Sequence, residues 1–259
     1  QLASTITELT LVKNLYEGLM REDENGNIVL GAAKTAEKNG NTYTFTISEN
    51  AFWSDNTPVT AEDFLFGIQR ALDSNTGATD ASSLYIIKNA EAVHKGNKAL
   101  SSLGISAPDA KTLTIETNSE NDNLYEALTS SVAMPCNRKF FADSKGKYGM
   151  SKETMLSNGS FKLTKWTTED FAMRIYRSSA YKGAFLPKVS AVFLSIDKEE
   201  SNLQRLLKGK MDIAEIESKE AKKAESNGFN VINIPNTVWL LKIGNGYAPT
   251  LRNALFSSV

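Results

Sequence analysis

The sequence predicts a mixed α/β fold in which sheets are covered by helices. Three patterns lead there. Residues 42–47 and 157–196 carry strand-like runs, residues 60–72 carry apolar side chains at helical spacing, and the chain beyond residue 157 alternates strand-like with helix-like segments. Composition agrees with a packed soluble domain: of 259 residues, 41% are hydrophobic and 23% charged, with 16 Gly and 6 Pro. That length is enough to bury a sizeable core in one large or two modest domains.

Taken in order, TELTLVKNLYEGLM places Leu11, Val12, Leu15 and Leu19 on one face and predicts a helix of about three turns stopped near Gly18. REDENGN reads as a turn, and IVLGAA as a short apolar segment. Residues 34–47 predict a β-hairpin turning at Asn39-Gly40, with Tyr43, Phe45 and Ile47 alternating with threonines on one buried face. In WSDNTPVTAED, Pro58 predicts a turn, and Thr60 with Asp63 predicts a capping box opening a helix. Phe64, Leu65, Ile68, Ala71 and Leu72 supply its stripe.

SNTGATDASS reads as loop, LYIIKNAEAVHKG as a helix ended by Gly96, and ISAPDAKTLTIET as turn then strand. NDNLYEALTSSVAM reads as helical, and CNRKFFADSKGKYGM as a short helix followed by a basic glycine loop. Residues 32–156 therefore form an α+β block. From residue 157, SNGSFKLTKW, FAMRIYRS and KVSAVFLSI predict three strands. SNLQRLLKG predicts a helix, MDIAEI a strand, and ESKEAKKAESNGF a helix stopped at Asn227-Gly228. NVINI and TVWLLKIG predict two more strands, with a helical segment after Pro249.

The chemistry-bearing residues exclude more than they suggest. Lys+Arg 29 against Asp+Glu 30 leaves a net charge of -1, so no global field favours nucleic acid or an anionic membrane. The single cysteine, Cys136, forbids an intrachain disulfide. The single histidine, His94, stands at a helix end, where favourable interaction with the C-terminus accounts for it. One Cys and one His do not make a zinc site, and SKGKYG lacks the Gly-Lys-Ser/Thr ending of a phosphate loop. Trp53, Trp166 and Trp239 read as core anchors. No enzyme activity, metal or cofactor is expected. No stretch approaches the length of a membrane span.

Five segments recur in a known order: NLYEGLM at 14–20, TYTFTISENAFWSDNTPVTAEDFLFGIQRALD at 42–73, SNGSFKLTKW at 157–166, LLKGKMDIAEI at 206–216 and TLRNAL at 250–255. Together they resemble the extracellular solute-binding proteins of oligopeptide ABC importers. The resemblance implies one lobe of a periplasmic-binding-type, type II clamp, with a main sheet domain over 1–31 and 157–259 and an inserted α+β subdomain over 32–156. A second lobe is expected outside these residues. It carries the usual acidic anchor for a peptide amino group.

What the resemblance implies for function is capture of oligopeptides outside the cell and delivery to a membrane permease, by a monomer that binds no nucleic acid. A signalling peptide, a nickel complex, haem or a sugar is the alternative cargo of the same fold; a secreted hydrolase is the alternative of another class. The WSDNTPVTAED turn is implied to be scaffold. Ser4, Thr5 and Ile6 match the stretch whose main chain pairs with the peptide as an added strand. Asp80, Glu215 and Thr237, Val238 and Trp239 match positions lining the same cleft. Asp80 and Glu215 depart from relatives with aromatic residues there, which suits a cleft favouring basic side chains. NRKFF and KYGM match Gram-positive relatives and imply a lipid anchor at the cell membrane.

Overall fold

A computed structural model describes residues 3, 5–120, 123–167, 172–195 and 200–233. The chain divides into two compact units, residues 1–196 and 197–259.

The first unit opens with helix α1 (Ile6–Leu15), and Thr5 caps it. Its Oγ1 accepts from Glu8 N, and Glu8 Oε2 accepts from Thr5 N at 3.0 Å, a reciprocal box that satisfies two orphan donors. Its 10 residues match the expected length of about three turns, but it stops at Leu15 rather than near Gly18. Tyr16 turns extended, because residues 16–18 are held by other segments, and Leu19 serves a different core from Leu15. Strands β1 (Met20–Glu22) and β2 (Ile28–Leu30) then form a hairpin, with Gly26 at φ 82° in its turn.

Strands β3 (Ala33–Asn39) and β4 (Thr42–Ile47) form the predicted hairpin, but its two loop residues are Gly40-Asn41, one position later than the Asn-Gly pair suggests. Gly40 takes positive φ (59°), while Asn41 anchors the far end of the sheet through its Nδ2 and carbonyl to Thr117. Helix α2 (Ala61–Leu72) follows as expected. Next, α3 (Ala90–His94) is a short remnant of the longer helix that LYIIKNAEAVHKG suggests. Ile87 instead bridges to Thr117, and Asn89 stands at φ 65°, where a helix cannot pass.

Strands β5 (Ile105–Ser106) and β6 (Thr112–Glu116) complete an antiparallel sheet ordered β3-β4-β6-β5. Tyr43, Phe45 and Ile47 of β4 and Leu113 and Ile115 of β6 share its buried face. Phe64, Ile68, Ala71 and Leu72 of α2 join the same core, all at most 1% exposed. Burying each large side chain contributes about 1.5–3 kcal/mol. Trp53 is the largest side chain there and is fully buried, which meets its expected anchoring role.

Helix α4 (Leu124–Ala127) is also shorter than predicted; residues 131–133 continue as a 3₁₀ turn after Ser130 leaves helical geometry. Helix α5 (Arg138–Asp143) is capped by Asn137, and the expected glycine loop follows with Lys145, Gly146 and Gly149 at positive φ. Strands β7 (Phe161–Thr167), β8 (Ala172–Arg177) and β9 (Ala191–Ser195) form a three-stranded antiparallel sheet, as the alternation predicts. Phe161 and Ile175 on one face pack with Leu15 of α1.

In the second unit, α6 (Asn202–Leu207) is capped by Ser201, and α7 (Ala221–Ser226) stops before Gly228 at φ 84°. The predicted strand MDIAEI is absent: residues 211–216 are irregular, with Ile213 86% exposed, so the alternation there has no sheet to serve. Residues 230–233 form no strand either. TVWLLKIG and the helical segment after Pro249 lie outside the described residues.

Candidate functional site

The described residues expected to meet a ligand lie on different elements. Thr5 is exposed and extended (φ -92°, ψ 154°), and its Oγ1, N–H and carbonyl are all engaged at the start of α1, by Glu8 N, Glu8 Oε2 and Leu9 N. Ile6 is already the first helical residue. Asp80 is exposed and opens a 3₁₀ turn at Ala81–Leu84; its carbonyl accepts from Ser83 N at 3.1 Å and from Ser83 Oγ at 2.9 Å. Among the described residues, no hydrogen bond or ion pair joins Thr5 to Asp80. In the second unit, Glu215 is exposed and its carbonyl accepts from Asn202 Nδ2 at 2.9 Å. Ser4, Thr237, Val238 and Trp239 lie outside the described residues.

The turn after Asp80 borders an open cavity of about 380 Å³, where Ser82, Ser83, Asn118 and Ser119 supply uncharged hydrogen-bonding groups and Ile86 and Ala127 the apolar wall. Such a lining suits neutral polar groups rather than ions.

Elsewhere the motifs interlock. Asn158 of SNGSF accepts from Glu17 N at 3.1 Å and donates to Glu17 O at 2.9 Å. Its neighbour Ser157 accepts at its carbonyl from Ser54 N at 2.7 Å, which ties in the WSDN turn. Gly159 donates to Leu15 O at 2.8 Å and has no room for a Cβ, which would stand 2.7 Å from Leu15 C. Pro58 follows the WSDN turn, whose tight residue is Asn56 at φ 68°, and bridges to Phe52. These contacts are what a scaffold role of the WSDNTPVTAED turn requires.

Catalytic arrangements are not assembled among the described residues. His94 Nδ1 lies 2.8 Å from Tyr85 Oη, in the last turn of α3, with no nucleophile between them. Burial pushes the Cys136 thiol up, disfavouring the reactive thiolate. Burial likewise pushes Tyr16 up to about 12 and raises Tyr148, whose hydroxyl is 3.4 Å from that of Tyr16. No group of three or more His, Cys, Asp or Glu among the described residues could hold a metal ion. No described helix is long and apolar enough to cross a membrane.

Residues 27–256 match the family of bacterial extracellular solute-binding proteins, family 5 (middle). The chain belongs to this family. Among relatives of this solute-binding protein, the periplasmic murein peptide-binding protein MppA of Escherichia coli is 32% identical over 218 residues, covering 81% of this chain and 39% of MppA. Oligopeptide-binding protein OppA of Bacillus subtilis is 31% identical, covering 79% and 38%. The chain thus spans well under half the length of these relatives. Among solved structures, peptide-bound OppA of Listeria monocytogenes superposes with a TM-score of 0.81 at 26% identity, covering 87% of this chain and 45% of that one. The substrate-binding domain of an oligopeptide ABC transporter from Bacillus anthracis gives 0.80 at 30% identity, covering 87% and 44%. The mixed α/β architecture is therefore that of OppA-like binding proteins.

Proposed function

We propose that this solute-binding protein captures oligopeptides outside the cell for an ABC importer and hands them to its membrane permease without bond-breaking chemistry. The observation that carries this reading is family membership over residues 27–256, joined to a TM-score of 0.81 with a peptide-bound OppA. In this reading the described residues belong to one lobe of the clamp, with residues 1–31 and 157–259 as its main sheet domain and 32–156 inserted. Ser4, Thr5 and Ile6 pair with the peptide as an added strand, for which the Thr5 N–H exchanges Glu8 Oε2 for a peptide carbonyl; main-chain pairing gives affinity without demanding a side-chain sequence. Asp80, Glu215 and Thr237 to Trp239 line the cleft. The two exposed carboxylates favour peptides with a basic side chain. The protein acts as a monomer, held at the membrane of a Gram-positive cell by a lipid anchor.

A chimera tests this. In it the matching part of Bacillus subtilis OppA is replaced by these residues, and peptide binding is followed by calorimetry. Tight binding of Lys-containing over Glu-containing peptides is expected. A folded chimera that binds neither peptide overturns the capture role, and equal binding of both overturns the assignment of Asp80 and Glu215.

A further inference from the structure

Strands β7, β8 and β9 and the loop of residues 178–190 carry Lys162, Lys165, Arg174, Arg177, Lys182 and Lys188 and, among their described residues, no Asp or Glu, in a chain whose net charge is -1. The sheet register sorts these groups. Leu163, Ile175 and Val192 form one row, on the face that packs with Leu15 of α1. On the opposite face Lys165, Arg174 and Phe193 form one row, and Lys162 and Tyr176 stand in the next. Phe193 is 60% and Tyr176 39% exposed, and their rings meet edge-on at 6.0 Å. The Arg174 guanidinium carbon lies 5.2 Å from the Phe193 ring centroid.

This face is costly when left in water. Lys165 sits directly across from Arg174, a like-charge pairing that destabilises a sheet. No carboxylate pairs with any of the six cations among the described residues. Arg177 Nη2 donates to Pro187 O at 2.6 Å, which ties the loop to the end of β8, and that loop leaves Leu186 66% and Val189 53% exposed.

From this arrangement we infer that the outer face of the β7–β9 sheet docks on an anionic phospholipid surface, with Lys162, Lys165 and Arg174 on lipid phosphates and Phe193 and Tyr176 at headgroup depth. Charge complementarity selects the occupant. A second copy of the chain brings the same cations to the contact and is repelled. An acidic protein answers the charges but leaves the rings unmet, whereas a bilayer sets phosphates over hydrocarbon and meets both at once. Stacking on Phe193 leaves the guanidinium N–H groups of Arg174 free in their own plane for phosphate oxygens. The near-neutral total charge does not oppose docking, because attraction to a charged surface fades within about 10 Å and the nearest groups decide it. Docking here is independent of what the protein captures.

Sedimentation of the whole, unlipidated chain with vesicles tests this. Binding is expected to vesicles of phosphatidylglycerol and phosphatidylcholine in equal parts and not to phosphatidylcholine alone, and it should weaken as NaCl rises from about 0.05 to about 0.5 M. Each cation near the surface contributes about fivefold, so Lys162→Gln, Lys165→Gln and Arg174→Gln together should weaken binding about a hundredfold. Phe193→Ser keeps every charge and should weaken it about tenfold through the lost apolar contact. Neutralising Lys34, Lys145 and Lys147, exposed cations outside this sheet, removes the same net charge and should change binding less than about twofold. Far-UV circular dichroism checks that each variant is folded. Equal losses in the two triple variants, or a Phe193→Ser protein that binds as before, overturn the docking face. Absence of binding to the anionic vesicles overturns it as well, and binding to poly-glutamate in that case assigns the face to an acidic protein instead.

Discussion

Trp53 Nε1 donates to Asp63 Oδ2 at 3.1 Å, and the same oxygen accepts from Thr60 N at 2.9 Å. One carboxylate thus caps α2 and satisfies the indole of the largest core side chain. Its position is why the WSDNTPVTAED segment leads directly into an apolar helix: the turn places Trp53 in the core and the cap beneath it. Burial raises the Asp63 carboxyl above its ordinary value, and these donors partly offset that cost.

Substitutions in this trio are expected to couple. Thr60→Ala should cost about 1 kcal/mol through the lost cap. Trp53→Phe should cost about 1–3 kcal/mol, since a buried carboxylate oxygen loses one of its donors. Thr60 Oγ1 also donates to Asp63 Oδ2, at 3.1 Å, so both substitutions remove a donor from the same oxygen and the double variant should differ from the sum by at least about 0.5 kcal/mol. Urea unfolding of the four proteins measures this, and strict additivity would refute the shared-oxygen account.

Two glycines separate crowding from backbone strain. Gly159→Ala places a methyl carbon 2.7 to 2.9 Å from the Leu15 and Tyr16 main chain, which cannot yield without moving α1. A loss of about 1–3 kcal/mol is expected. Gly146→Ala meets nothing within 4 Å but must hold φ 82°, costing about 1–2 kcal/mol with no effect on α1. Thermal unfolding gives the losses, and amide shifts in α1 should respond only to Gly159→Ala.

Glu200 in the second unit accepts from Lys208 Nζ and, at 2.7 Å, from Lys210 Nζ. These partners hold its carboxyl down at about 2. A depressed carboxylate stabilises the fold fully above its unfolded value of about 4.3 and loses that contribution as pH falls towards about 2. A carboxyl carbon resonance that titrates near 2 is expected, moving up in Lys208→Met and in high salt. A resonance titrating near 4 would contradict the pairing.

Phe45 of β4 is fully buried and meets the Tyr125 ring edge-on at 6.3 Å. Phe45→Ala is expected to cost about 3–5 kcal/mol, because the sheet and α2 cannot both close on the void. Tyr125→Leu should cost less, as Tyr125 is only half-buried. Denaturant midpoints decide the order.

Much of this was legible where the signal is local. The Thr60–Asp63 box, the alternation of Tyr43, Phe45 and Ile47, and the three strands from Phe161 to Ser195 each follow from neighbours within a few residues. Misreadings arose where distant partners decide. Ile87 leaves a helical pattern because Thr117 offers it a bridge, and Leu19 leaves α1's stripe because residues 16–18 are pinned by Asn158 and Gly159. Residues 211–216 show the converse, an alternation with no sheet beneath it. Of the candidate ligand contacts, Thr5 was legible as a backbone position at a helix start. The contacts of buried Glu17 were not: its partners Arg21, Asn158 and Tyr181 are polar residues in unrelated segments, and only their convergence gives them meaning.

The Asn158 carboxamide offers Glu17 one donor and one acceptor, the same pair a peptide group would present from an adjoining strand. It is a side-chain forgery of a ladder rung, joining positions 141 apart in the chain. Closing so wide a loop carries a large entropic cost until the intervening block has collapsed. Contact order thus places this rung after the more local α2 core in the order of assembly, and during synthesis the α1 exit cannot be secured until Asn158 has emerged.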